Sequence, residues 1–181
     1  MTSTIIIAGS PSLGSRTLRL AREVERRLGA LAIPTSLLEL RSLPAEDLVH
    51  AHTGSDAIAT ALERVAAARG VVIATPIYKA AYSGLTKAFL DLLPQYGLRD
   101  KVVLPLATGG STAHVLAIDY ALRPVLQSMD PARIVGGLFV LDELLHADTD
   151  GRLELEAELA SRLDTTLVAF ASALEPRPPA S

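Results

Sequence analysis

Short apolar runs of four to eight residues alternate along this 181-residue chain with longer stretches of helical periodicity. That alternation limits the fold more than any single motif. The runs are TIIIA (4–8), TSLLEL (35–40), VVIAT (71–75), VVLPLA (102–107) and IVGGLFVL (134–141). Four of them are apolar almost without interruption, as strands covered on both faces are. Between them, residues 16–28 place Leu20, Val24 and Leu28 on one helical face. Residues 56–69 repeat Ala57, Ala61, Leu62 and Val65 at helical spacing behind Ser55, a candidate cap. Residues 84–93, 113–129 and 152–174 supply three more helical patterns. Five strands and five helices in strict alternation predict an α/β protein, a parallel sheet with helices on both faces.

For five such strands the flavodoxin-like order 2-1-3-4-5 is the leading topology, and ligands then bind beyond the carboxyl ends of the strands. That rule selects residues 9–17, 76–84 and 108–114, all rich in Gly, Ser, Thr or Tyr. A single domain is expected over residues 1–175, with residues 176–181 a flexible tail.

Composition removes several classes. A hydrophobic fraction of 49% excludes a largely disordered chain. The apolar runs fall well short of the roughly 20 residues of a membrane span. Zero cysteines exclude disulfides, thiolate catalysis and cysteine metal sites. With no basic leader at the first residues, a cytoplasmic location is expected. A net charge of −3 and the lack of a basic stripe with aromatics argue against nucleic acid. Arginines crowd the first helix and acids the stretch 142–164, which read as two solvated helix faces.

The first loop, AGSPSLGSRT (8–17), has Gly9 and Gly14 at the spacing of a triphosphate loop, but Ser15 stands where the lysine is needed. No aspartate ends VVIAT to help hold magnesium, so an NTPase is disfavoured. The dinucleotide fingerprint G-x-G-x-x-G is also absent. What survives is a helix start with unpaired N–H groups, plus hydroxyls at Ser10, Ser12, Ser15 and Thr17. That set suits one monophosphate, although a plain turn capped by Ser15 explains it equally well. In the second loop Tyr78 or Tyr82 could pack on a ring, and Lys79 could reach an anionic one. Gly84 offers a turn or a close approach. In the third, Gly109 and Gly110 free main-chain N–H groups for a ligand. His114 has no Cys or paired His nearby, so no metal is assigned. One monophosphate loop beside two Gly- and Tyr-bearing loops fits flavin mononucleotide, FMN. Only 4% of residues are aromatic, which predicts loose binding.

The helical pattern 113–129 contains Pro124, whose ring clashes with the carbonyl four residues back, at Tyr120, for about 3 kcal/mol. A kink or π-bulge there is expected. The pattern is apolar nearly all round, which reads as an oligomer interface that includes Tyr120.

AGSPSLGSRT, VVIATPIYKAAYSGLTKAFLDLLP and KVVLPLATGGSTAHVLAIDYALRPVL closely resemble the NADPH-dependent FMN reductases of bacterial alkanesulfonate-utilisation systems. The resemblance covers nearly the whole chain and is weakest after about Asp142. It implies a flavodoxin-like enzyme that reduces FMN with NADPH and supplies it to a partner monooxygenase. It also implies a homotetramer with a π-helical insertion at Tyr120. By position, Ser10, Ser15, Arg16 and Thr17 would hold the FMN phosphate. Pro76, Ile77, Tyr78 and Lys79, with Thr108, Gly109, Gly110 and Ser111, would border the ring. Ser12 stands where such enzymes often have Arg. No catalytic side chain is expected, because the cofactors carry hydride transfer. The rival readings are a quinone or azo reductase or an electron carrier with tightly bound FMN, and a flavin-binding regulatory or scaffold protein. NADPH and NADH are not distinguished by the sequence.

Overall fold

A computed structural model describes residues 4–147 and 152–175; the tail at 176–181 lies outside the described residues. The chain runs through β1 (Thr4–Ala8), α1 (Arg16–Ala30), β2 (Thr35–Glu39), α2 (Ala45–Val49), α3 (Asp56–Ala67), β3 (Gly70–Tyr78) and β4 (Ala81–Tyr82). It continues through α4 (Gly84–Leu90), β5 (Val102–Gly109), α5 (Arg123–Ser128), β6 (Arg133–Ile134) and β7 (Leu138–Leu141). The pair β8 (His146–Ala147) and β9 (Leu153–Glu154) then leads into α6 (Ala157–Leu174).

The sheet order is β2-β1-β3-β5, with β6 and β7 both beyond β5, and all these pairings are parallel. This is the expected 2-1-3-4-5 order, and the fold is flavodoxin-like. Alternation along the strands feeds two cores. Ile6, Val72 and Leu104 pack with α1 and α6, while Ile5, Ile7, Ile73 and Val103 pack with α2 to α5. Phe170 in the first layer and Phe89 in the second are fully buried, each stabilising by about 2–3 kcal/mol. β2, at the edge, is only partly buried.

The fifth run is not one strand. The Val135 N–H donates to the Val103 carbonyl at 2.9 Å. Two residues on, Pro105 faces the same neighbour and has no N–H to offer. A Cβ on Gly137 would lie 2.8 Å from the Pro105 carbonyl oxygen. The chain therefore leaves the ladder between Ile134 and Leu138.

Other boundaries shift as well. The helix expected over 56–69 ends at Ala67, and Ser55 starts it without a side-chain cap bond. The helix expected over 84–93 ends at Leu90. The one expected over 152–174 starts at Ala157, because Leu153 and Glu154 pair with Ala147 and His146. The stretch 113–129 divides into a 3-10 turn (Thr112–His114), a π-helix (Ile118–Leu122) and α5. The Arg123 N–H reaches five residues back to the Ile118 carbonyl. Pro124 thereby falls in the first turn of α5, where a missing N–H costs nothing. The expected π-bulge is present and contains Tyr120. No described helix is long and apolar enough to cross a membrane.

Candidate functional site

The first and second loops are locked together before any ligand is considered. The Gly9 N–H donates to the Ala74 carbonyl at 2.8 Å, and the Gly9 carbonyl accepts from the Ser83 hydroxyl. Ser83 also caps α4 by accepting from the Thr86 N–H at 3.1 Å, and its own N–H donates to Thr75 Oγ1 at 3.1 Å. Thr86 Oγ1 donates to Thr75 Oγ1 at 3.0 Å. All three hydroxyl residues are buried. A Cβ on Gly9 would sit 1.9 Å from Thr86 Oγ1, so the close approach requires glycine there.

Beyond this lock the loop turns into α1. Ser15 is its cap, accepting from the Leu18 N–H at 3.0 Å. The N–H groups of Arg16 and Thr17, in the first turn, have no intrahelical carbonyl to bond. Thr17 Oγ1 lies 2.7 Å from Thr108 Oγ1, a buried pair tying α1 to the end of β5. Ser10 Oγ accepts from the Ser12 N–H at 3.3 Å. These contacts frame a cleft of about 130 Å³. Its walls bring together Ser10, Ser15, Arg16 and Thr17 with Pro76, Ile77, Tyr78 and Thr108. Ser12, Gly14 and Asp142 complete it.

The remaining expected residues border the cleft rather than line it. Lys79 and Ala80 form the two-residue turn between β3 and β4, with φ of 50° and 64°. Both lie in the left-handed region, which a two-residue hairpin demands and L-residues disfavour. Gly84 is therefore not the turning residue; it opens α4, and a Cβ there would meet nothing. Gly109 is buried against Phe139, and Gly110 is exposed. Ser111 accepts from the Ala113 N–H at 3.2 Å. The π-helix bearing Tyr120 packs on β4 and β5. Tyr120 is 56% exposed, and Val115 and Leu116 beside it are exposed too.

Two features of the site were not anticipated. Asp142 opens the turn after β7, and its Oδ2 lies 3.9 Å from Arg16 Nη1. The carboxyl-end rule that picked the other loops applies to it equally. The hydroxyl lock of Thr75, Ser83 and Thr86 was written in the second loop, but only the fold shows its target. At the site's edge, burial pushes the Tyr82 phenol up, with Asp91 adding to the rise against Lys87, so Tyr82 stays protonated.

A larger cleft of about 730 Å³ lies between α1 and β9, lined by Arg19, Arg22, Arg26, Arg27 and Arg152. Its cations are largely committed to structure. Arg22 pairs with Glu39, Arg26 and Arg27 both pair with Glu23, and Arg27 also reaches Asp164 on α6. Burial raises the Glu23 pKa, but the two guanidiniums outweigh it and hold the carboxyl below its usual range. No group of three or more His, Cys, Asp or Glu among the described residues is placed to hold a metal.

A doubly wound parallel sheet with a hydroxyl-lined cleft at its carboxyl edge defines a flavodoxin-like α/β protein. Within that class the chain belongs to the NADPH-dependent FMN reductase family, whose model matches residues 2–145. It is 43% identical over 173 residues to the FMN reductase (NADPH) of Escherichia coli (strain K12), covering 96% of this chain and 90% of the relative. To the enzyme of the same name from Pseudomonas putida KT2440 it is 41% identical, covering 96% and 89%. The apo crystal structure of an NADH:FMN oxidoreductase superposes with a TM-score of 0.89 at 37% identity, covering 98% of this chain and 92% of that one.

Proposed function

We propose that the protein reduces FMN with NADPH or NADH, takes FMN as a substrate that comes and goes, and supplies the reduced flavin to a partner monooxygenase. The cleft carries this reading. Its donors are hydroxyls, the first N–H groups of α1 and one guanidinium, a set that fits a phosphate monoester. At about 130 Å³ it is sized for the phosphate rather than the whole nucleotide, since sites that enclose a drug-sized ligand start near 300 Å³. The ring would then lie on the rim bordered by Pro76, Ile77, Tyr78, Lys79, Thr108, Gly109, Gly110 and Ser111.

Bound FMN supplies the hydride-accepting chemistry, and the nicotinamide supplies the hydride. The chain's part is to bind and orient. Ser10, Ser15, Arg16 and Thr17 anchor the phosphate, and Tyr78, 50% exposed, offers one aromatic face. Main-chain N–H groups near Gly109 and Gly110 favour negative charge developing beside them. One half-exposed tyrosine is a weak clamp, which suits a flavin that must leave.

The exposed Val115, Leu116 and Tyr120 support assembly of copies through the π-helix face, in a homotetramer. We further infer one working domain over residues 1–175, a cytoplasmic setting, and a monooxygenase partner of alkanesulfonate use. The test is NADPH and NADH oxidation by desalted protein with and without FMN. Colourless protein with saturable dependence on added FMN is the expected result. Yellow protein indifferent to added FMN would replace this reading with a carrier or quinone reductase holding its flavin.

A further inference from the structure

We propose that Asp142 governs flavin release, competing with the FMN phosphate for Arg16. The proposal rests on assigning the cleft to that phosphate. Among the described residues lining the cleft, Arg16 is the one cation and Asp142 the one carboxylate. Every other polar side chain there can donate to an anion; the Asp142 carboxylate can only repel it.

Its position is set by the sheet. Leu141 is in register with Gly109, so the next residue falls beside Gly110. A Cβ on Gly110 would lie 4.0 Å from Asp142 Oδ2, an ordinary contact, so the carboxylate stands beside this backbone. The Asp142 to Arg16 separation of 3.9 Å is longer than a hydrogen bond, so the pair is a charge contact that a better anion can displace.

Asp142 acts on both states of the site. Without flavin it neutralises a guanidinium placed at a helix N-terminus, where the dipole disfavours a cation. With flavin it gives up that partner and faces a phosphate carrying close to two negative charges. Both effects favour release. Arg16 is 53% exposed and Asp142 31%, so water screens the interaction. The penalty on FMN affinity is roughly three- to tenfold, and it appears mainly in the dissociation rate.

The experiment is flavin fluorescence titration of the wild type, Asp142→Asn, Asp142→Glu and Arg16→Gln with FMN and with riboflavin, which lacks the phosphate. Asp142→Asn is expected to bind FMN roughly three- to tenfold tighter with riboflavin unchanged, and Asp142→Glu to match the wild type. The gain should shrink in high salt. If Asp142→Asn leaves FMN affinity unchanged or weaker while Arg16→Gln weakens it, the role of Asp142 is refuted and the phosphate assignment stands. Equal tightening of riboflavin refutes it too, since the effect would not involve the phosphate. If the wild type binds both flavins equally and Arg16→Gln is silent, the phosphate assignment and the proposal fall together.

Discussion

Gly9→Ala probes the contact on which the site's geometry depends. The new methyl would lie 1.9 Å from Thr86 Oγ1 and 3.1 Å from its Cβ, where ordinary contact begins near 3.4 Å. Thr86 is buried and cannot swing into solvent. Overpacking of this kind costs about 1–3 kcal/mol. Moving the hydroxyl also breaks its bond to Thr75 and disturbs the Ser83 to Gly9 bond, adding roughly 1 kcal/mol for each buried bond lost. The total is about 2–4 kcal/mol, a fall in Tm of roughly 5–15 °C for a domain of this size. Thr86→Ala alone gives up its hydrogen bonds for about 1–2 kcal/mol. In the double variant the 1.9 Å clash is gone and only the 3.1 Å contact remains. Thermal melts of the four proteins should therefore show the double variant more stable than the sum of the singles by at least about 1 kcal/mol. Strict additivity, or a Gly9→Ala protein that melts like the wild type, would refute the steric argument.

Glu23 predicts a pH dependence with a definite sign. Its carboxyl is held below the ordinary 4.5 in the folded protein, so its stabilisation is complete above that value and is lost as pH falls through the folded one. Melts of Glu23→Gln should lie furthest below the wild type above pH 4.5 and converge with it on further acidification; a constant gap would contradict the assignment. Ala80→Gly removes a left-handed L-residue from the β3–β4 turn. After the entropy cost of glycine it should stabilise by about 0.5–1 kcal/mol, a rise in Tm of roughly 1–4 °C. A fall in Tm would show that the turn is not strained at this position.

The sheet, its order and the loops at its carboxyl edge were legible along the chain. Central parallel strands are buried on both faces and read as unbroken apolar runs, so β1, β3 and β5 announced themselves. The π-helix at Tyr120 was legible because Pro124 acts locally, on the carbonyl four residues behind it. The pairing that displaces the start of α6 was also written, in the alternation of Leu153 and Leu155 with Glu154 and Glu156, although a helical pattern runs on directly beyond it.

The remaining features depend on groups far apart in the chain. The break between β6 and β7 follows from an N–H missing at Pro105, felt only by the neighbouring strand. The turn at Lys79 and Ala80 carries no Gly or Asn to mark it, and pairing of Tyr78 with Ala81 imposes it. Lys101 donates to the Ala66 and Ala68 carbonyls at the end of α3, a cap supplied from the start of β5. Asp142 enters the cleft only because β7 lies beside β5, while Thr17 and Thr108 meet across 91 positions. Periodicity and local sterics reach about one helical turn along the chain. Charge contacts and hydroxyl pairs between loops need the sheet to bring them within a few ångströms.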